Sequence, residues 1–220
     1  MKTAYFIRHG ETLFNRDKRL QGWLDSPLSE KGRSQARILA RALQPLGIPR
    51  AWASPLGRAR ETAEIVCREM GIAYENLDAL REVSFGDFEG KTLPELDIYF
   101  PGQWAARQAD KWNYCPPGGE ANKDAVPRAL EMARRLENQP DGNPALIIAH
   151  FAINRLILAA LIGLPPRETM EMNVPHDVIY RAQRENGPWR IGYWLAGESD
   201  RGFHPNWLIQ KKPENLPIGA

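Results

Sequence analysis

The feature that most limits what this chain can fold into is the run Ala145-Leu146-Ile147-Ile148-Ala149, apolar without interruption and ended abruptly by His150. A strand with one wet face alternates polar and apolar residues. A run with no polar position has to be covered on both faces, as a central strand of a parallel sheet is. Two other runs have the same form. Thr3 to Ile7 is rich in β-formers and empties into Arg8-His9-Gly10, and Ala51-Trp52-Ala53 stops at Ser54-Pro55. Each of these two is followed by an amphipathic helix. Ser29 caps the first, whose face carries Ala36, Leu39, Ala40 and Leu43 before Gly47 and Pro49 stop it. The second carries Ala59, Ala63, Val66 and Met70 and closes at Gly71. Strand, loop and helix in repetition predict an α/β layer architecture.

The rest of the chain reads less regularly. Residues 14–28 are polar and loop-like, and residues 91–119 read as a partly helical insert lying over one edge of the sheet. Val126, Leu130, Ala133 and Leu136 predict another amphipathic helix, and the helix after His150 is apolar nearly all round, hence buried. Val178 to Ala182 and Trp189 to Leu195 predict two strands joined at Asn186-Gly187. Residues 197–220 show little periodicity and read as a surface-hugging tail. The 220 residues suit a single domain, 1–220.

Composition closes off several function classes. With 29 basic and 27 acidic residues the net charge is only +2, which argues against a nucleic-acid or membrane-surface protein. The longest apolar run, Phe151 to Leu164, is interrupted by Asn154 and Arg155 and falls short of the roughly 20 residues of a membrane span. The opening, Met1 to Ile7, is too short an apolar stretch for a signal peptide. Two distant cysteines, Cys67 and Cys115, build no disulfide framework. The expectation is a soluble, cytoplasmic protein, with a homodimer left open.

Three strand ends deliver charged or polar residues together: Arg8-His9 after the first, Ser54 with Arg58 after the second, His150 after the central one. In open α/β sheets the ligand site lies at the carboxyl ends of the strands, so these groups are expected to converge. Guanidinium groups match phosphate oxygens in bidentate fashion, and the helix N-termini after Ser54 and His150 are expected to add free N–H groups. Neighbouring cations disfavour a charged imidazole, leaving His9 neutral and able to attack phosphorus. Glu82, in Leu80-Arg81-Glu82-Val83-Ser84-Phe85-Gly86, is the candidate acid for the leaving alkoxide, with apolar neighbours expected around it. The histidines show no metal-like spacing, and no metal is expected.

These runs resemble a known family. Arg8-His9-Gly10-Glu11-Thr12, Asn15, Leu20-Gln21-Gly22 and Asp25-Ser26-Pro27-Leu28-Ser29 look like the opening of the phosphoglycerate mutase-like histidine phosphatase superfamily. Ser54-Pro55-Leu56-Gly57-Arg58-Ala59-Arg60-Glu61-Thr62-Ala63 is similar to its second motif. Glu82 with Phe85-Gly86-Asp87-Phe88-Glu89-Gly90, then Gly118-Gly119-Glu120 and Ala149-His150, resemble its later segments in order. The resemblance implies a three-layer α/β/α sandwich with a mostly parallel sheet and no cofactor. It implies His9 as nucleophile, Arg8, Arg58 and His150 as phosphate-pocket residues, Glu82 as proton donor, and Asn15, Gln21 and Gly22 as lining residues. Two departures stand out: Phe151 where the family usually has glycine after the second histidine, and Ala121 where serine often follows Gly-Gly-Glu.

The expected function is hydrolysis of a small phosphorylated metabolite through a phosphohistidine. The rivals are mutase-type phosphoryl transfer, from which the segment Phe85 to Gly90 differs, and a feeble relative that binds a phosphorylated ligand, to which Phe151 and Ala121 point. Glu11 and Glu120 read as structural, Glu11 bracing an arginine. His176 and His204 read as structural or solvent-exposed, and the aromatics of 99–114 as insert core with some facing the site.

Overall fold

The computed structural model describes residues 1–197, in which six strands form one sheet: β1 (Lys2–Arg8), β2 (Arg50–Ala53), β3 (Ala73–Asn76), β4 (Ala145–Ala149), β5 (Val178–Arg184) and β6 (Arg190–Leu195). Their order across the sheet is β3-β2-β4-β1-β5-β6. The pairings β2–β3, β2–β4 and β1–β4 are parallel; β5 and β6 add an antiparallel edge. The apolar run of β4 is therefore the strand between β1 and β2, and all five of its residues are buried.

Alternation along the strands divides the core in two. Phe6, Trp52, Ile147 and Ala149 face one side, where helices α6 (Val126–Asn138) and α7 (Phe151–Ile162) pack. Tyr5, Ile7, Ala51, Ala53, Leu146 and Ile148 face the other, against α2 (Glu30–Leu43) and α3 (Gly57–Met70). Helices on both faces of a mostly parallel sheet make the expected α/β/α sandwich. Each isoleucine of β4 removed wholly from water contributes about 1.5–3 kcal/mol, so the two faces of this one strand tie both helix layers to the sheet.

Local signals explain the helix boundaries. The Ser29 hydroxyl accepts from Gly32 N at 3.0 Å and starts α2, and Gly71, with φ of 69°, ends α3 in the left-handed region. Residues 13–16 form a one-turn helix, α1 (Leu13–Arg16), within the predicted loop, capped by Thr12. The stripe expected on α6 is displaced: Ala129, Met132, Ala133 and Leu136 are buried, while Leu130 is 42% exposed. Strand β3 has no apolar pattern, being mostly exposed at the sheet edge, which is why periodicity does not reveal it. The short helix α8 (Pro166–Glu171) is likewise unannounced. The hairpin turn lies where expected, with Asn186 at φ 50°.

Residues 91–119 contain α4 (Leu93–Tyr99) and α5 (Gln103–Ala109). They do not cover a sheet edge. Leu96, Phe100, Trp104 and Tyr114 instead pack around Leu20, Phe85 and Phe88 in a separate apolar cluster, so the segment stands beside the loops at the strand ends. No helix among the described residues is long and apolar enough to cross a membrane. Both cysteines are free thiols, Cys67 buried and Cys115 exposed. The tail segment 198–220, with His204, lies outside the described residues.

Candidate active site

At the carboxyl ends of β1, β2 and β4 a cavity of about 380 Å³ opens, lined by Arg8, His9, Asn15, Gln21, Gly22, Arg58, Glu82 and Phe151 among others. The strand register makes it. Arg8 pairs with Ala149 and His9 N donates to Ala149 O at 3.0 Å, so His9 and His150 emerge side by side, ring centroids 5.1 Å apart. Gly10 then has to pass the start of α2: a Cβ on Gly10 would meet Gly32 O at 2.4 Å. Two backbones in contact, with no side chain between, fix the loop that carries His9.

The protonation of His9 follows from its partners. Nδ1 lies 2.8 Å from Gly10 O, which can only accept, so Nδ1 carries the proton. Arg58 Nε–H donates to His9 Nε2 at 3.2 Å, so Nε2 presents the lone pair into the site. The imidazole is held well below its ordinary titration range, first by burial and then by the charges of Arg58, His150, Arg8 and His176. The sequence pointed to the cations; burial outranks them. His150 is likewise kept neutral by burial, then by Arg58 and Arg8, and its Nε2 meets Ser54 Oγ at 2.7 Å.

Arg58 is fixed on every side. Its Nη2 donates to Gly22 O at 2.7 Å and its Nη1 to Asp25 Oδ1 at 3.1 Å. Gly22 turns with φ of 55°, and a Cβ there would strike Glu89 and Phe85 N, so glycine is the residue that brings this carbonyl to Arg58. Glu89 in turn accepts from Trp23 N, Leu24 N, Phe85 N and the Ser84 hydroxyl, tying the 22–24 loop to the Glu82 segment. Arg8 donates to Val174 O at 3.3 Å, and burial lowers its pKa to about 10; its Nε is buried without a partner.

The two helix N-termini differ from expectation. The Asp25 carboxylate accepts from Gly57 N and Arg58 N at the start of α3. The Glu82 carboxylate accepts from Ala152 N at 3.0 Å and Ile153 N at 3.1 Å at the start of α7, and from Val83 N at 2.9 Å. Side chains of the protein, not open sites, occupy these N–H groups, because a carboxylate is the natural cap of a positive helix end. The apolar surroundings expected for the Glu82 carboxyl are thus replaced by three backbone donors. Its own carbonyl is held by Trp23 Nε1 at 2.7 Å and Arg128 Nη2 at 3.1 Å, and Arg128 makes a two-pronged pair with Glu120. Glu120 is structural and braces the segment that carries Glu82.

Other sequence readings resolve as follows. Asn15 and Gln21 both line the cavity, yet both also bond Thr12: Asn15 Oδ1 accepts from Thr12 N, and Gln21 Nε2 donates to the Thr12 hydroxyl. Glu11 braces Lys31 and Ser29 rather than an arginine. Phe151 has two guanidinium groups over its ring, Arg8 at 5.3 Å and Arg155 at 5.1 Å from its centre. Ala121 is buried and lines no part of the cavity. Of the insert aromatics, Trp104 lines the cavity, Tyr99 is 65% exposed and Trp112 packs against the main core.

Several residues of the site were not legible beforehand. His176 is structural, not solvent-exposed, and it sits closer to His9 than the sequence reading placed it: its Nδ1 donates to His9 O at 2.6 Å and its ring lies 5.3 Å from that of His9. Its place just before a strand was the available signal. Arg155, Arg107 and Lys111 also line the cavity, from α7, α5 and the residues just past α5. Asn154 Nδ2 donates to Ile7 O, locking α7 to the strand that carries His9.

Known proteins match this arrangement. The description "Histidine phosphatase superfamily (branch 1)" applies to a family profile that matches residues 4–196. The probable phosphoglycerate mutase GpmB of Erwinia tasmaniensis is 30% identical over 196 residues, covering 89% of this chain and 91% of that protein. The mycobacterial glucosyl-3-phosphoglycerate phosphatase solved with VO3 superposes with a TM-score of 0.79 at 28% identity, covering 89% of this chain and 100% of that one. A structure described as a putative alpha-ribazole-5'-P phosphatase from Escherichia coli K-12 gives 0.78 at 25% identity, covering 86% and 94%. With the family profile spanning nearly all described residues and the paired histidines at the ends of β1 and β4, the chain belongs to the histidine phosphatase superfamily, branch 1.

Proposed function

We propose that the protein is a phosphatase that hydrolyses a small phosphomonoester through a phosphohistidine on Nε2 of His9. One observation carries the reading: the His9 proton is committed to Gly10 O, and the lone pair on Nε2 accepts from the guanidinium of Arg58 inside the cavity. Phosphoryl oxygens replace that Arg58 contact on binding, and Nε2 attacks phosphorus as the bond to the leaving oxygen breaks. Arg8, Arg58 and His150 hold the charge on the equatorial oxygens. A phosphomonoester bound as its monoanion brings one proton, which the Glu82 carboxylate takes up and gives to the leaving alkoxide. Water then attacks phosphorus, its proton passes to Glu82, the N–P bond breaks and phosphate leaves with His9 neutral again. Nδ1 keeps its proton, donated to Gly10 O, throughout.

Structural neighbours described as phosphatases support hydrolysis, whereas the GpmB relatives are described as probable mutases. A mutase would return the phosphoryl group to substrate instead of water. The deciding experiment is a screen of phosphorylated metabolites, 3-phosphoglycerate included, for inorganic phosphate and for isomer exchange, with His9→Ala as blank. Phosphate release that needs His9, with acid-labile phosphate trapped on His9, supports the phosphatase. Isomer exchange without release makes it a mutase, and release unaffected by His9→Ala removes both.

A further inference from the structure

The loop 22–25 touches both ends of the reaction. Toward the phosphate pocket, Gly22 O accepts from Arg58 Nη2 at 2.7 Å, Leu24 O from Arg58 Nη1 at 3.4 Å, and Asp25 Oδ1 from the same nitrogen at 3.1 Å. Toward the acid, Trp23 Nε1 donates to the main-chain carbonyl of Glu82 at 2.7 Å. Glu89 accepts from Trp23 N at 2.8 Å and Phe85 N at 2.9 Å, so the loop and the segment that carries Glu82 share one carboxylate. Glu82 O has a second donor, Arg128 Nη2 at 3.1 Å, but Arg128 is paired with Glu120 and ties Glu82 to α6 instead. Trp23 runs directly from the loop that grips Arg58 to the residue that carries the acid.

Core packing does not account for a tryptophan here. Its ring is 42% exposed and has the Arg81 guanidinium 5.4 Å from its centre, while its N–H is turned inward onto Glu82 O. An amphipathic ring ordinarily does the reverse, keeping its apolar body inside and its polar tip wet. What this side chain supplies is the N–H. The Glu82 carboxylate is tied to the start of α7 through Ala152 N and Ile153 N, and releasing the main-chain tie lets the segment pivot about that point. Placement matters steeply, since a shift of about 1 Å in a reacting group costs on the order of 100-fold. We infer that Trp23 is a positioning residue for the acid, its indole N–H locking Glu82 at a fixed distance from Arg58 so that phosphate binding and proton delivery stay in register. The inference rests on the phosphatase reading with Glu82 as proton carrier.

The test uses two phosphomonoesters of similar ring size: benzyl phosphate, whose alkoxide needs a proton to leave, and p-nitrophenyl phosphate, whose phenolate does not. kcat is measured for the full chain, Trp23→Phe, Glu82→Gln and the double variant, with circular dichroism to follow the fold. Trp23→Phe keeps an aromatic ring and removes the N–H. It is expected to slow benzyl phosphate about ten- to 100-fold and p-nitrophenyl phosphate less than about threefold. In the Glu82→Gln background it is expected to add nothing, because both changes act on one proton transfer. Leu24→Ala, at a neighbouring side chain that is 45% exposed, controls for disturbance of the loop and is expected to leave the ratio of the two rates unchanged.

Equal losses on the two esters, an unchanged benzyl phosphate rate, a full further loss in the Glu82→Gln background, or the same selective loss in Leu24→Ala each overturn the positioning role. If neither ester is turned over, or Glu82→Gln itself shows no dependence on the ester, the phosphatase reading with Glu82 as its acid falls instead. The lock is then read by amide hydrogen exchange at residues 83–86, which needs no turnover: exchange about tenfold faster in Trp23→Phe supports it, and unchanged exchange removes it.

Discussion

Arg58 and His9 are joined through a single contact, Nε–H to Nε2 at 3.2 Å, which leaves Nδ1 to carry the imidazole proton. Because Gly10 O holds the proton on Nδ1, the Nε2 lone pair accepts directly from the Arg58 guanidinium, the contact that an incoming phosphoryl group would have to replace. A charged donor fixed by Gly22 O and Asp25 costs no reorganisation when substrate binds.

Replacing Arg58 removes that preorganised donor. Arg58→Lys keeps charge but loses the planar fork, and kcat is expected to fall about 100- to 1,000-fold. Steady-state kinetics with p-nitrophenyl phosphate, alongside circular dichroism to establish an intact fold, reads the effect. A fall under threefold would remove Arg58 from the transition state.

Glu82→Gln takes away the proton donor. Loss of a general acid costs about 100- to 10,000-fold with an alkyl phosphate, whose alkoxide is a poor leaving group. The same variant is expected to lose far less with p-nitrophenyl phosphate, whose phenolate leaves unaided. Equal losses on both substrates would assign Glu82 a purely structural part.

Stability should depend on pH through the buried histidines. His9, His150 and His176 are all held well below 6.5, burial being the first cause in each. Below about pH 6.5 the unfolded chain binds protons that the folded chain refuses, so stability is present above that pH and drains away beneath it. Each histidine contributes up to about 1.4 kcal/mol per pH unit in that window. Urea midpoints at pH 7.5, 6.0 and 5.0 measure this; a flat profile contradicts it.

Gly10→Ala places a methyl group 2.4 Å from Gly32 O, in backbone that cannot swing aside. A cost of about 1–3 kcal/mol is expected, with loss of activity because His9 is the adjacent residue. Thermal melting and kinetics together check it, and an unchanged midpoint with full activity would show that the α2 start yields.

Much of the fold was legible because its signals are local. The run 145–149 could only be a strand covered on both faces, Ser29 and Gly71 mark helix ends by their own chemistry, and Arg8-His9, Arg58 and His150 stand at strand ends. Strand β3 was not legible, since an exposed edge strand has no apolar face to betray it. The displaced stripe of α6 shows the same limit: Leu130 satisfies helical spacing, but packing against the rest of the fold buries Ala129 and Met132 instead.

The layered α/β architecture and the residues that meet at the strand ends are written into short segments of the chain, because periodicity and strand termini are local properties. Tertiary structure alone decided what those residues do to one another. It gave the helix N-termini to Asp25 and Glu82 and brought His176 from 167 positions away onto the carbonyl of His9. It also gathered Arg107, Lys111 and Arg155 into the cavity. Such contacts join segments distant in the chain, and their geometry exists only once both faces of the sheet are packed.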